Sequence, residues 1–280
     1  MSRAVSFART ALLAGFALWP NGKRPGGSSV PILIYHSIDG SGSPVSVSAD
    51  AFRRQMEWLV THGYRSITMT DLAAALQAGR LPDRTVSITF DDAYRSVFQV
   101  AVPILQRLGL NATVFVPTRK VGGDNGWSSA RIPRMPIASW DEIGQTAATR
   151  TVEIGGHSCT HLRLGRLSKA KALGEVLGSR DDLQAQLGLA VHSFCYPYGS
   201  VNEMVRDIVM DVGFQVACTT RWGHACVGDD PLLLRRVRVY HGMLFAEFRA
   251  SLTPAVERYR VLLRPFRPLL GRPVTHDSGH

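Results

Sequence analysis

The chain has 280 residues, 45% of them hydrophobic and 19% charged. That balance is globular, excludes a disordered chain, and suits one large α/β domain or two smaller ones. Its 32 Lys+Arg against 22 Asp+Glu give a net charge of +10. The basic residues are scattered and form no nucleic-acid motif, so the excess reads as a surface for anionic lipid or an acidic polymer.

In chain order, Arg3 and Arg9 come with an apolar run over 11–19. A run of that length is far short of the ~20 residues a spanning helix needs. It could be the h-region of a signal peptide, yet no clean small-x-small cleavage site follows. The expectation is a docked or disordered segment, with a linker over 21–29 rich in Gly, Pro and Ser. Strands are predicted over 32–36, 85–90, 112–116, 152–156, 194–196, 215–219 and 236–240. Several are continuously apolar, as parallel strands covered on both faces are. Helices are predicted over 51–62, 71–78, 97–108, 168–187 and 203–212, most of them opened by Ser or Asp and closed by Gly. This alternation argues for a parallel sheet with helices outside, and about seven strands favour a closed or nearly closed barrel, with its chemistry at the C-terminal strand ends. The stretch 121–136, which holds Trp127, reads as a loop over the site.

The four cysteines, Cys159, Cys195, Cys218 and Cys226, lack CxxC spacing and read as reduced, buried thiols. They point to a cytoplasmic protein or one peripheral to the inner membrane; secretion through the weak N-terminal signal is the alternative. A Cys195–Cys218 disulfide stays open, because the two fall on neighbouring predicted strands.

Two motifs carry chemistry. Thr89-Phe90-Asp91-Asp92 ends an apolar run, and His157-Ser158-Cys159-Thr160-His161 follows another. Neighbouring residues of a regular strand point to opposite faces, so both aspartates reach one site only where the strand ends and turns. The histidines are spaced i, i+4, and one helical turn or a compact loop brings both imidazoles to one side. Two imidazoles and one carboxylate can hold a divalent metal with positions left for water and substrate, and the spare carboxylate can accept a proton. Zn²⁺ is the first expectation, with Co²⁺, Mn²⁺ or Ni²⁺ as competitors. In Phe194-Cys195-Tyr196-Pro197-Tyr198-Gly199 the proline fixes the backbone where a strand ends, and a rigid turn there can aim a main-chain N–H, such as that of Tyr198, at an oxyanion. No G-x-S-x-G elbow is present, and adjacent aspartates with two histidines suit a metal better than a glycosidase.

These motifs resemble those of the polysaccharide deacetylase family, the NodB-homology carbohydrate esterases, over roughly 30–252. TFDD, H-S-x-x-H and the Pro-Tyr turn occur in the family's order, and Ile34-Tyr35-His36-Ser37 is similar to an element of its exopolysaccharide-type members. The resemblance implies a distorted seven-stranded (β/α) barrel that removes N- or O-acetyl groups from an acetylated glycan. It implies Asp91 as the base and Asp92, His157 and His161 as metal ligands. There are three departures. Ala93 replaces the usual glycine, a small change. Cys195 stands where many members carry an arginine that pairs with the base, leaving Arg221, Arg235, Arg236 or Arg238 to supply the charge. The late apolar-x-His element is loosely matched by Val239-Tyr240-His241, making His241 the general-acid candidate, with His224 as the alternative.

The expected organisation is an N-terminal segment over 1–29, a catalytic domain over 30–252 and a basic tail over 253–280. The tail's arginines and apolar residues suggest shallow peripheral contact with an anionic membrane. The rival activity is a metal-dependent amidohydrolase acting on a small non-sugar amide.

Overall fold

A computed structural model describes residues 29–253 apart from Arg131. The N-terminal apolar run and almost all of the basic tail lie outside the described residues. The seven apolar runs form one closed, all-parallel sheet: β1 (Ile32–Tyr35), β2 (Thr85–Phe90), β3 (Ala112–Val116), β4 (Val152–Gly156), β5 (Ser193–Cys195), β6 (Val216–Trp222) and β7 (Leu234–Arg238). Neighbours follow chain order from β2 to β6, then β7 and β1, and β1 pairs back onto β2 to close the ring. A seven-stranded parallel barrel results, as expected. A short strand, Arg65–Ser66, extends the start of β2. Ser29–Val30 pairs antiparallel with Ala225–Cys226.

The helices lie between strands: α1 (Ala49–Thr61), α2 (Met69–Gln77), α3 (Val102–Leu108), α4 (Trp140–Ala148), α5 (Lys169–Leu187) and α6 (Glu203–Val212). Capping explains most of their starts. The Ser48 hydroxyl accepts from the Ala51 N–H, Thr68 and Asp71 form a capping box, and the Asn202 side chain accepts from the Val205 N–H. The predicted helix over 97–108 is a π-helical turn, Val97–Ala101, running into α3. Pro103 lacks the N–H that would continue an α-helical ladder, which accounts for the irregular entry. Helix α4 was not predicted. The compact barrel unit covers 28–241, and a last helix, α7 (Phe245–Ser251), belongs to the other unit.

The N-terminal end of the barrel is closed by α2. Met69 and Leu72 pack into an apolar cluster with Ile32, Leu81, Val216 and Leu234. The Met69 N–H donates to Thr113 Oγ1 at 3.0 Å. Glu153, on β4, caps the same helix end: it accepts from the Thr70 N–H and hydroxyl, both at 3.0 Å, from Thr113 Oγ1 at 3.3 Å, and from the Ser193 hydroxyl. With this end closed, the opposite one, where the motifs sit, is the mouth.

All four cysteines are free thiols. Cys195 and Cys218 are register partners on β5 and β6, so the predicted adjacency holds without a bond.

Candidate active site

Strand β2 delivers Asp91 in line: its N–H donates to the Tyr35 carbonyl of β1 at 2.9 Å. The chain then turns sharply, with φ of 72° at Asp92 and 51° at Ala93. That turn lets adjacent aspartates face one site. It also explains why glycine would be usual at Ala93: the left-handed region costs an L-residue about 1–2 kcal/mol, so the departure is larger than the sequence suggested. Among the described residues, seven non-glycines have positive φ, and five of them, Asp92, Ala93, Ser158, His161 and Tyr198, belong to the site motifs. Strain of this kind concentrates where geometry is functional.

The histidine motif is a compact loop after β4, not a helix. Gly155 and Gly156 are required by close packing, since a Cβ on Gly155 would lie 2.6 Å from Ser193 Oγ and 2.7 Å from the Phe115 ring. The loop brings His157 Nε2 to 3.4 Å and His161 Nε2 to 3.0 Å from Asp92 Oδ1. All three residues are buried, and one donor atom from each lies within 4.8 Å of the others. Nδ1 of His157 sits 2.7 Å from the Cys195 carbonyl, which fixes the ring with Nε2 towards Asp92. Asp92 Oδ1 is buried yet has no hydrogen-bond partner among the described residues. Two convergent imidazole nitrogens, an orphaned carboxylate oxygen and an anchored ring fit a divalent metal with borderline ligand preference.

Asp91 is engaged differently. Arg236 on β7, wholly buried, grips it in a fork, Nη1 to Oδ1 and Nη2 to Oδ2, both at 2.8 Å. Burial alone would raise the Asp91 carboxyl, but the charge and hydrogen bonds of Arg236 outweigh it and hold the group at about 2. Arg236 also donates to Thr89 Oγ1 at 3.1 Å, to the Thr219 carbonyl at 2.9 Å and to Cys195 Sγ at 3.0 Å. Of the four arginines left open by sequence, Arg236 is the one paired with the base candidate. The small Cys195 thiol occupies the space beside the guanidinium.

Around this centre, Tyr198 lies in the Pro197–Gly199 turn with φ 59°, its ring edge-on to His161 with 4.6 Å between centroids. Burial and the Asp92 charge push its hydroxyl up to about 12. Tyr94, buried, has its hydroxyl close to Asp92, Asn125 and Ser128, and desolvation together with the Asp92 charge raises it far above the ordinary value. His36, half-buried after β1, lies near enough for its charge to lower both Asp91 and Asp92. Sequence quoted His36 only as part of a motif and gave Tyr94 no role; the alternation that points Ile34 and His36 to one face was the available signal. His241 is exposed beside Gly42. His224 hydrogen-bonds Ser29 at 3.2 Å, ahead of the N-terminal end of β1. That contact places it beside the start of β1. At the mouth, a cavity of about 570 Å³ is lined by Ser37, Asp39, Tyr94, Arg95 and Gln99 among others.

The polysaccharide deacetylase family model matches residues 78–217, half of the chain. A Bacillus subtilis (strain 168) protein named as a polysaccharide deacetylase, YxkH, is 29% identical over 233 residues, covering 83% of this chain and 78% of that one. The poly-β-1,6-N-acetyl-D-glucosamine N-deacetylase of Staphylococcus aureus (strain MSSA476) is 26% identical over 172 residues, which is 61% of this chain but only 59% of that enzyme. In fold, the chain is similar to the Streptococcus pyogenes deacetylase PplD in complex with acetate, with a TM-score of 0.72 at 24% identity over 81% of this chain and 100% of that one. Barrel, motif order and family match agree: the chain belongs to the polysaccharide deacetylase family of carbohydrate deacetylases.

Proposed function

We propose that this protein is a metal-dependent hydrolase that removes acetyl groups, N-acetyl first among them, from a polysaccharide or oligosaccharide. One observation carries the reading: the buried convergence of Asp92, His157 and His161 beside a separate carboxylate, Asp91, already claimed by Arg236. Asp92, His157 and His161 would hold the ion, which when bound supplies Lewis acidity to the acetyl carbonyl and to water.

The chain's own residues supply the rest. Asp91 accepts the proton of the attacking water, and the Arg236 fork fixes its lone pairs and keeps it ionised. The Tyr198 N–H, at a turn made rigid by Pro197, donates to the oxyanion. His36 is the proton donor to the leaving amine, because its charge reaches both aspartates, whereas His241 is exposed beside Gly42. Tyr94 packs beside Asp92, and the largely apolar cavity next to it also carries hydroxyl, carboxylate and guanidinium groups, from Ser37, Asp39 and Arg95, for neighbouring sugar units. The activity named for the S. aureus relative makes a β-linked N-acetylglucosamine polymer the first substrate to try.

The test is acetate release from N-acetylglucosamine oligomers of several lengths, run beside metal analysis and small cyclic amides. Release that rises with oligomer length and stops on chelation is expected. Turnover of the cyclic amides alone would overturn the glycan reading, and full activity without metal would overturn the metal reading.

A further inference from the structure

The two ligand histidines are held by different physics. His157 has its second ring nitrogen anchored on the Cys195 carbonyl at 2.7 Å. Nδ1 of His161 is buried with no hydrogen-bond partner among the described residues. Ligating imidazoles ordinarily have that second nitrogen fixed by a carboxylate, carbonyl or water, and the anchor sets ring orientation. At His161 flat contacts stand in its place. Trp127 stacks on the imidazole at 4.5 Å between centroids and 27° between planes, while Tyr198 meets it edge-on at 4.6 Å and 68°. Tyr198 is itself covered by the Arg163 guanidinium at 4.1 Å. The His161 backbone is also pinned, its N–H donating to Ser158 Oγ at 2.9 Å.

Trp127 belongs to the loop over 122–138, which is internally braced. Asn125, wholly buried, accepts from the Met135 N–H at 2.8 Å and donates to the Pro133 carbonyl at 3.0 Å. Arg134 pairs with Asp124 at 2.9 Å, and the Ile137 N–H reaches the Gly123 carbonyl at 2.9 Å. The same loop brings Asn125 and Ser128 close to the hydroxyl of Tyr94, which also feels the charge of Asp92. One braced loop therefore bears on two of the three ligand candidates, by stacking on one and through a tyrosine on the other.

We propose that Trp127 is a positioning residue of the metal centre: its stacking on His161 takes the place of the missing hydrogen bond, so that the loop over 122–138 sets how tightly the ion is held. The inference rests on the metal-centre reading given above. Its test uses Co²⁺ alone as the probe. Metal-free full-length wild type, Trp127→Ala and Trp127→Phe are titrated with Co²⁺ against a chelating dye, with the visible Co²⁺ absorption band and the melting temperature of each metal-free protein recorded. Outer-shell partners of metal ligands are worth about 10–100-fold in affinity, so Trp127→Ala should weaken Co²⁺ binding about tenfold or more and Trp127→Phe by no more than about threefold. The absorption band should shift in the alanine variant while the metal-free melting temperatures stay close. Equal affinity and an unshifted band in Trp127→Ala would overturn the proposal. So would a loss of affinity that tracks a drop in metal-free stability and is not restored by phenylalanine. Failure of the wild type itself to bind Co²⁺ would overturn the metal-centre reading, and this inference with it.

Discussion

The two ends of this barrel each hold an acidic group at the tip of the interior, and they treat it in opposite ways. At the closed end, Glu153 is bonded by the Thr70 N–H and by three hydroxyls, and it caps the helix that seals the barrel. At the open end, Asp92 Oδ1 is buried among imidazoles without a hydrogen bond. A buried, unpaired acceptor costs about 1–3 kcal/mol, and a fold that satisfies one carboxylate so fully leaves another wanting only where something else completes it. Strain leans towards the mouth. Five of the seven positive-φ non-glycines among the described residues fall in the motifs at the mouth, and the other two, Arg84 and Arg150, lie just before β2 and β4 at the closed end. The packing that seals the barrel lies at one end and the proposed chemistry at the other.

The largest expected effects are at the open end. His157→Ala or His161→Ala should abolish both stoichiometric metal and turnover, measured by metal analysis and acetate release on the same preparation; full occupancy in His161→Ala would break the ligand assignment. Asp91→Asn should keep its metal and lose about 10²–10⁴-fold in rate, the scale of a positioned proton acceptor. Near-normal turnover would remove Asp91 from the mechanism.

Arg236→Met probes the boundary between the two regions, because the guanidinium is both buried structure and the partner of Asp91, the proposed base. Removing one member of a buried ion pair destabilises by about 3–5 kcal/mol, readable in urea unfolding. Without the arginine, burial pushes the Asp91 carboxyl upward, so the acid limb of kcat/KM should move to higher pH. An unmoved limb would dissociate Arg236 from the base. Glu153→Ala makes the complementary test at the closed end. It removes a helix cap and leaves hydroxyls unpaired, for about 2 kcal/mol of stability, with metal content unchanged. Loss of metal in that variant would erase the contrast between the ends.

The smallest effect is linkage in the wild type. The folded Asp91 carboxyl is held at about 2, below its unfolded value near 3.9. The unfolded state therefore binds the proton more readily between those values. The stabilisation is fully present above about pH 5 and is lost as pH falls through about 4 towards about 1, about 2–3 kcal/mol in all. Unfolding monitored across pH 2–5 in wild type and Asp91→Asn should show the extra slope in wild type only.

Much of the barrel was legible because its strands are buried on both faces and read as unbroken apolar runs between glycine-closed helices. Helix α4 carries a signal in its capping box, Ser139 with Glu142 three residues on and Trp140 and Ile143 behind them, but at nine residues after a Gly- and Pro-rich loop its apolar period is short. The paired strands Ser29–Val30 and Ala225–Cys226 are too short to carry a period. At the site, the motif residues could be named because local turns bring them together. Choosing Arg236 among four arginines could not be done, since it depends on which residues of β7 face inward across the ring from β2. The stacking of Trp127 on His161 is likewise tertiary: nothing in a loop sequence says over which ligand it folds.

The most direct measurement is metal stoichiometry and acetate release determined together for wild type, Asp91→Asn and His161→Ala with an N-acetylglucosamine oligomer. The account predicts one divalent ion and turnover in wild type, one ion and almost no turnover in Asp91→Asn, and neither in His161→Ala. Equal metal content in all three, or loss of metal in Asp91→Asn, would contradict the separation of a proton acceptor from a three-residue metal site.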